Sequence, residues 1–600
     1  MVSSKIGKYL LASDSKTRYA GILTTILVIA AVLRIWHVLA LYPLPLFDNL
    51  IIDSKMYDDW AMHIAKGNWL GSDRAFYLDP LYPYLLALQY KIFGHNLLMV
   101  RLGQAALGVG TCFLVAVIGR RVGGNTVGLG AALLAALYQP LIFEGGEIEK
   151  TALGVFLLTA ALTCATGKST ASRFFSGSLL ALAALCRGNL LIMGPLGSIY
   201  FLLISERNAG AGGVADKGRL RDRLTGKAAR DAVAFLAGFL LLLSPVLLRN
   251  HYVSGEWILT TSQSGANFYT GNNPENWSGA YNAVSFVRPL PEFEEYDFRV
   301  KAEQLTGKKM TAKEVSSFWL HESLAHIGNN PLFASMVFVR KFILFWGDLE
   351  FPDGWSLYFI RKYSPALRLS FFTFGWLFPF AVIGSAVSWR RSREAGFLSG
   401  FALVYFLTVL VFFVFSRYRL YVVPPLLVFA SMGMKWSWER LREQNWRKFV
   451  TAALVLLVAA VFSFCGTAAF GYRPEMFVNN YAQLAELYEK KGNYGSAEAL
   501  LQEALRRQPE AASTLCALGT LRLTVNDPAG AVVYLHRCLE ADAEYPSAWN
   551  ILGAAYDRLG NYEEARRCFE TQLQILPGHQ QARNNLQRLV LLHFSPGNHK

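Results

Sequence analysis

The sequence predicts an all-α protein in two parts, a polytopic membrane helix bundle of about eleven spans and a C-terminal α-solenoid. Two observations predict it. Apolar residues, 53% of the chain, gather in blocks near the ~20 residues that a helix needs to cross a bilayer. After residue 471 the chain turns polar and repeats every 34 residues. The expected parts are residues 1–471, with loops 43–95 and 251–365 on the outer side, and residues 472–600.

The apolar blocks fall near 20–42, 96–118, 124–143, 150–167, 232–250, 366–388, 396–415, 419–436 and 449–471. A further block, 174–204, is interrupted by Cys186-Arg187-Gly188-Asn189 and reads as one long span or two short ones. The first block is longer than a signal-peptide core, carries Arg34 and lacks a small-residue cleavage site, so it reads as a retained span.

Lysine and arginine orient the bundle. Lys5, Lys8, Lys16 and Arg18 put the N-terminus in the cytoplasm. Arg120-Arg121, Lys168 with Arg173, seven basic residues within 206–231, Arg390-Arg391 with Arg393, and the stretch Lys435–Lys448 mark further cytoplasmic turns. These marks agree only if 174–204 crosses twice, which gives eleven spans. The loops 43–80, 144–150 and 251–365 and the end after 471 then face outward. The net charge of +15 is mostly this bias, which excludes nucleic-acid binding as its explanation. Seven cysteines form no metal-binding spacing.

In the C-terminal part Tyr481, Leu484, Tyr488, Ala497, Leu501 and Ala504 recur as Leu515, Leu518, Arg522, Ala531, Leu535 and Cys538. They recur again as Trp549, Leu552, Tyr556, Ala565, Phe569 and Gln572. This pattern looks like tetratricopeptide repeats, about 478–511, 512–545 and 546–579. Small residues let paired helices approach, and three repeats suffice for a stack. Asn550 and Asn561 either bind a peptide or cap and stack.

Acids and aromatics crowd the loop after the first span: Asp53, Tyr57, Asp58, then Tyr77, Asp79, Tyr82 and Tyr84. Sugar transfer from a lipid phosphate needs a carboxylate base, cations for the leaving phosphate, and apolar walls. The outward loops supply all three. Asp53 and Asp58 are five apart, so on a helix they serve separate roles. His63 and His95 stand alone and make weak metal ligands. Residues Pro331–Trp346, with Arg340 and Lys341, read as an interfacial amphipathic helix.

These residues resemble a known family. The run Arg34…Asp53…Tyr57-Asp58…Trp60-Ala61…Phe76-Tyr77…Asp79-Pro80-Leu81-Tyr82-Pro83 looks like the first outer loop of GT-C glycosyltransferases. More closely, it is similar to the bacterial branch related to protein O-mannosyltransferases and lipid A aminoarabinose transferases. Glu144…Glu147…Glu149-Lys150, Gly265…Asn267…Tyr269…Asn273-Pro274 and Arg417-Tyr418-Arg419…Pro424 carry it further, over about 15–440. The resemblance implies a GT-C-like bundle with Asp53 as catalytic base and Asp58 and Glu147 as further catalytic candidates, Glu144 and Glu149 competing with Glu147. It implies substrate binding by Tyr57, Asp79, Tyr82, Arg187, Asn267, Tyr269, Arg417 and Arg419, the last two on the donor phosphate unless they snorkel to headgroups. The mannosyltransferase branch carries an Asp-Glu pair where this chain has Asp53-Ser54, which speaks against protein mannosylation but not against lipid-phosphosugar use.

The expected function is a membrane glycosyltransferase. It would move a sugar from a polyprenyl-phosphate-linked donor to an extracytoplasmic acceptor hydroxyl on a glycan, lipid or protein. Membrane lipids, and a protein partner on the repeats, are the other expected partners. No cofactor is certain and no metal ligands are assigned, although a divalent metal is compatible with the acidic loops. The alternatives are an oligosaccharide ligase or polymerase using a polyprenyl-pyrophosphate glycan, and a non-enzymatic scaffold presenting the repeats. The expected location is the bacterial inner membrane.

Overall fold

A computed structural model describes residues 2–71, 74–204, 226–288, 291–389 and 392–594. Residues 206–225 of the basic stretch and the pair Arg390-Arg391 lie outside the described residues. The fold is helical; among the described residues the sole β pairings are the isolated bridges Tyr138–Phe372 and Ala280–Val414. The chain divides into two compact units, one of residues 1–42 and 50–472, the other of 43–49 and 473–600.

In the first unit every apolar block is helical. Five helices are long and apolar enough to cross a membrane, within Thr17–Leu41, Leu97–Gly123, Lys227–Ser254, Arg393–Val411 and Trp446–Lys490. Shorter apolar helices include Asn125–Leu137, Thr151–Ala165 and Phe374–Ser388. The block 174–204 breaks into Thr170–Ala184 and Met193–Ile204, joined by a 3-10 turn at Gly188–Ile192.

Glycines set the closest helix crossings. Gly384 lies against the Phe429 carbonyl and Gly433 against that of Phe380, so Phe374–Ser388 and Val423–Arg442 meet backbone to backbone. Gly177 and Gly238 do the same for Thr170–Ala184 and Lys227–Ser254. In lipid such small-residue seams supply the packing that water would otherwise drive. Arg34, buried in the first helix, donates to the carbonyl of Ala30 (3.1 Å) one turn back and to that of Ala135 (3.2 Å) in the last turn of Asn125–Leu137.

The loops fold into short helices. Ile52–Ala65 begins one residue before Asp53, and Ile52 has φ 51°, strained for a β-branched residue. The long loop holds Ser264–Asn272, Pro291–Thr306, Ala312–Asn329 and Pro331–Trp346. Thr311 and Glu314 form a capping box on the third. Leu332 and Met336 of the fourth helix are exposed, as expected for an interfacial helix, but Lys341 is 1% exposed and donates to Asn272 (2.9 Å). Lys341 thus ties the helix inward instead of facing water.

The second unit consists of three helix pairs: Asn479–Lys490 with Tyr494–Arg507, Ala512–Thr524 with Pro528–Ala541, and Ala548–Arg558 with Tyr562–Ile575. A last helix, Gln580–His593, follows. Gly519 receives Leu535, and Gly553 receives Phe569. Cys516, Cys538 and Cys568 are buried and free, so they pack as small hydrophobes. Asn550 accepts from Asn585 (3.0 Å) inside the stack, and the Asn561 side chain makes no cap bond. The residues after the first span, Leu46 and Phe47, are buried within this unit.

Candidate functional site

Four chain segments converge on one guanidinium. Arg417, from the short helix Ser416–Arg419, donates to Asp53 Oδ2 and to Glu149 Oε2, each at 2.9 Å, and forms an ion pair with Asp353. Asp53 sits in the first turn of its helix, where the dipole favours a carboxylate. Glu149 lies in the turn before Thr151–Ala165, and Asp353 in the loop 351–355. The Ser54 hydroxyl contacts Glu149 Oε1 at 3.5 Å. All four charged residues line a cavity of about 50 Å³, whose walls also include Glu144, Glu147 and Glu350.

Electrostatics in this cavity are lopsided. Burial pushes the Glu149 carboxyl well above its usual range, against the pull of Arg417. Burial likewise raises Asp353 to about 6 and Glu147 to about 7, with Arg417 and Arg101 respectively opposing. Glu144 rises to about 8, again by burial first. Oxygens of Asp53, Glu149 and Asp353 lie within 4.8 Å of one another, a set of hard ligands fit for a divalent cation.

A second layer holds the first. Lys150 donates to Asp79 (2.5 Å), both buried, and its ammonium lies 5.6 Å from the Tyr57 ring centre. Tyr57 packs edge-on against Tyr82 at 5.5 Å, and the Tyr82 hydroxyl donates to Gln104 (2.6 Å). Gln104 in turn donates to the Glu147 carbonyl (2.5 Å), while Arg101 donates to the Gly146 carbonyl (2.8 Å). The turn carrying Glu144–Lys150 is therefore strapped to the helix Leu97–Gly123. The Arg187 guanidinium stacks 3.1 Å above the Tyr418 ring centre.

Residues 74–210 match the dolichyl-phosphate-mannose-protein mannosyltransferase family. Tetratricopeptide repeat families match 478–521 and 546–579. No curated protein matches the chain. Among solved structures, the chain is similar to ArnT from Cupriavidus metallidurans bound to undecaprenyl phosphate, with 14% identity and a TM-score of 0.40, over 92% of this chain and 80% of that one. It is also similar to the apo oligosaccharyltransferase of Archaeoglobus fulgidus, with 15% identity and a TM-score of 0.42, over 78% of this chain and 59% of that one. The first tetratricopeptide domain of human RPAP3 is similar at 20% identity and a TM-score of 0.19, over 20% of this chain and 92% of that one.

The mannosyltransferase-matched stretch contains Asp79, Tyr82, Glu147, Glu149, Lys150 and Arg187 but neither Asp53 nor Arg417. The structure joins these to Asp53 and Arg417, and it leaves other expected site residues elsewhere. Asp58 is bonded to the Tyr90 hydroxyl and to His95 (2.8 Å). Tyr269 belongs to an aromatic core with Trp319 (4.5 Å), Phe286 and Phe298, and Asn267 shares its helix outside the cavity. Arg419 is 1% exposed and braces Glu350 (2.5 Å) and the Phe345 carbonyl (3.2 Å) instead of reaching the cavity. Asp353 was invisible to sequence reasoning, because Phe351-Pro352-Asp353-Gly354 reads as a plain turn. Glu149 was one of three acids competing for one role.

Proposed function

We propose that this chain is a GT-C-type membrane glycosyltransferase that takes a sugar from a polyprenyl-phosphate-linked donor and passes it to an acceptor hydroxyl outside the cytoplasm. The observation that carries this reading is the Asp53–Arg417–Glu149–Asp353 cluster, built from four chain segments and lining one cavity. The partial family match supports the same reaction class.

In the proposed reaction Asp53, held by Arg417 at 2.9 Å in the first turn of its helix, accepts the proton of the acceptor hydroxyl. The acceptor oxygen attacks the anomeric carbon, and the bond from that carbon to the phosphate oxygen breaks. Polyprenyl phosphate leaves with the bonding electrons. Arg417, Arg187 and Lys150 are the cations close enough to Asp353 to act on that charge. Asp79 positions Lys150, and Tyr57, packed on Tyr82, backs that pair. A divalent cation held by Asp53, Glu149 and Asp353 would stabilise the leaving phosphate. The repeats serve as a docking module for an acceptor or partner protein on the outer side, the side that the lysine and arginine pattern gives the chain after residue 471.

The test uses the purified full chain in lipid with a panel of radiolabelled polyprenyl-phosphate sugars. Wild type should release polyprenyl phosphate from one donor, and Asp53→Asn should abolish release while inserting normally. Normal release by that variant removes Asp53 as base. A reporter fused after residue 590 should lie outside the cytoplasm.

A further inference from the structure

The acid cavity is too small for the reaction proposed for it. At about 50 Å³ it holds a few water molecules, whereas sites that enclose small ligands run upward of about 300 Å³. A sugar therefore enters only if one wall moves.

Most of the walls are braced. The turn of Glu144 and Glu147 hangs from Arg101 and Gln104. Pro140 and Phe143 belong to Gln139–Phe143, where the Gln139 side chain donates to the Leu367 carbonyl (2.6 Å) and its amide to that of Phe372 (3.0 Å). The helix of Asp53 packs along Leu81–Phe93. The remaining wall, Pro352-Asp353-Gly354, lies in no helix and is half-buried.

Both ends of that wall are anchored. The Phe351 amide donates to the Ser416 hydroxyl (2.5 Å), and the Ser416 amide donates back to the Phe351 carbonyl (3.2 Å). At the other end Trp355 is buried and stacks on Phe359 at 5.9 Å with 16° between planes. Between these anchors Asp353 pairs with Arg417. Gly354 is loosely packed: among the described residues a Cβ added there meets a single atom within 4 Å, Ile51 Cδ1 at 4.0 Å. Ile51 lines the same cavity and precedes Ile52, held at φ 51°. Backbone strain of this kind collects where segments switch between states.

We propose that Pro352-Asp353-Gly354 is a flap over the acid cavity, latched by the Asp353–Arg417 ion pair and lifted to admit the donor sugar. Lifting it takes one carboxylate off Arg417 and leaves Asp53 and Glu149 in place, so the base keeps its partner while the flap is open. The released Asp353 carboxylate goes into water, which offsets much of the lost pairing. Closure returns Asp353 to the other acids and shuts out water that would compete with the acceptor hydroxyl. The need for room rests on the transferase reading; the latch and its anchors stand without it.

The test uses the full chain in lipid nanodiscs and has two arms. In the first, Gly354→Cys is labelled with a water-soluble maleimide, and the modified peptide is followed by mass spectrometry with and without Asp353→Asn. Loss of the charged latch should speed labelling about tenfold or more, the worth of one charge-assisted hydrogen bond. A control cysteine at exposed Lys308 (Lys308→Cys) should label equally fast in both backgrounds. In the second arm, which keeps Asp353, Ile51→Cys and Gly354→Cys are bridged by a short methanethiosulfonate cross-linker. The bridged protein should lose polyprenyl phosphate release, and a reductant that cleaves the bridge should recover it. Equal labelling with and without the Asp353 carboxylate, equal acceleration at residue 308, failure of the pair to bridge, or release unaffected by the bridge overturns the flap. Wild type that releases polyprenyl phosphate from no donor would instead sink the transferase reading, and the labelling rates would still judge the flap.

Discussion

Arg417→Ala should destabilise the protein strongly at pH 8 and much less at pH 5. Among the described residues the guanidinium is the one cation that pairs with Asp53, Glu149 and Asp353, and all four side chains are at most 18% exposed. Breaking such a buried pair by removing one partner costs roughly 3–5 kcal/mol. Its pH dependence follows from the acids. Burial already raises Glu149 and Asp353, the latter to about 6, and Arg417 opposes that rise. An acid whose folded pKa is raised stabilises the fold when protonated and loses that contribution as pH climbs through the folded value. Without Arg417 the folded values climb further, so the ionised forms at pH 8 carry the full penalty. At pH 5 the Asp353 carboxyl, raised to about 6, is largely protonated with or without the arginine, so less is lost. The assay is thermal unfolding by tryptophan fluorescence in nanodiscs at both pH values, for wild type and variant. Equal loss at the two pH values, or no loss at pH 8, would refute the reasoning.

Asp79→Leu alone should lower the thermal midpoint and solubilised yield, since it strands the buried Lys150; pairing it with Lys150→Met should restore much of that stability but not donor turnover. Gly384→Ala should cut the yield of folded protein measured by size exclusion, because the added Cβ overlaps the Phe429 carbonyl; unchanged yield would mean the helices separate freely.

Much of this architecture was legible in the chain, for physical reasons that particular residues show. A helix in lipid must be apolar along its length, so the blocks stood out, and Arg187-Gly188 marked the break in 174–204. The repeats announced themselves through Ala and Gly at fixed spacing, because each helix crossing has the same steric demand. The site was legible only in parts. Asp53 could be singled out by its setting, but its partner Arg417 lies 364 residues away, and no local pattern encodes that meeting. Arg417 and Arg419 look equivalent in sequence; two apart on a helical turn, they point to different sides, one into the acids and one onto Glu350. Asp353 hid inside turn chemistry.

The charge pattern around the cavity leads to a last prediction. Asp53, Glu149, Asp353 and Asp79 outnumber Arg417, Lys150 and Arg187, so an anionic donor enters a field of acids. Arg417 is held by three carboxylates and Lys150 by Asp79. Arg187 is different: among the described residues no acid pairs with it, its Nε lacks a hydrogen-bond partner, and its plane rests on Tyr418. A phosphate meeting Arg187 would displace no carboxylate, whereas binding Arg417 means competing with Asp53 itself. On the proposed reading Arg187 is therefore the first cation to meet the donor, and Arg417 stays with the base. Arg187→Ala should raise the donor KM about tenfold to a hundredfold, the worth of one charge-assisted hydrogen bond. Turnover at saturating donor should fall far less than in Asp53→Asn. An unchanged donor KM in Arg187→Ala, with turnover lost, would assign phosphate binding to Arg417 and place donor and base in competition for the same guanidinium.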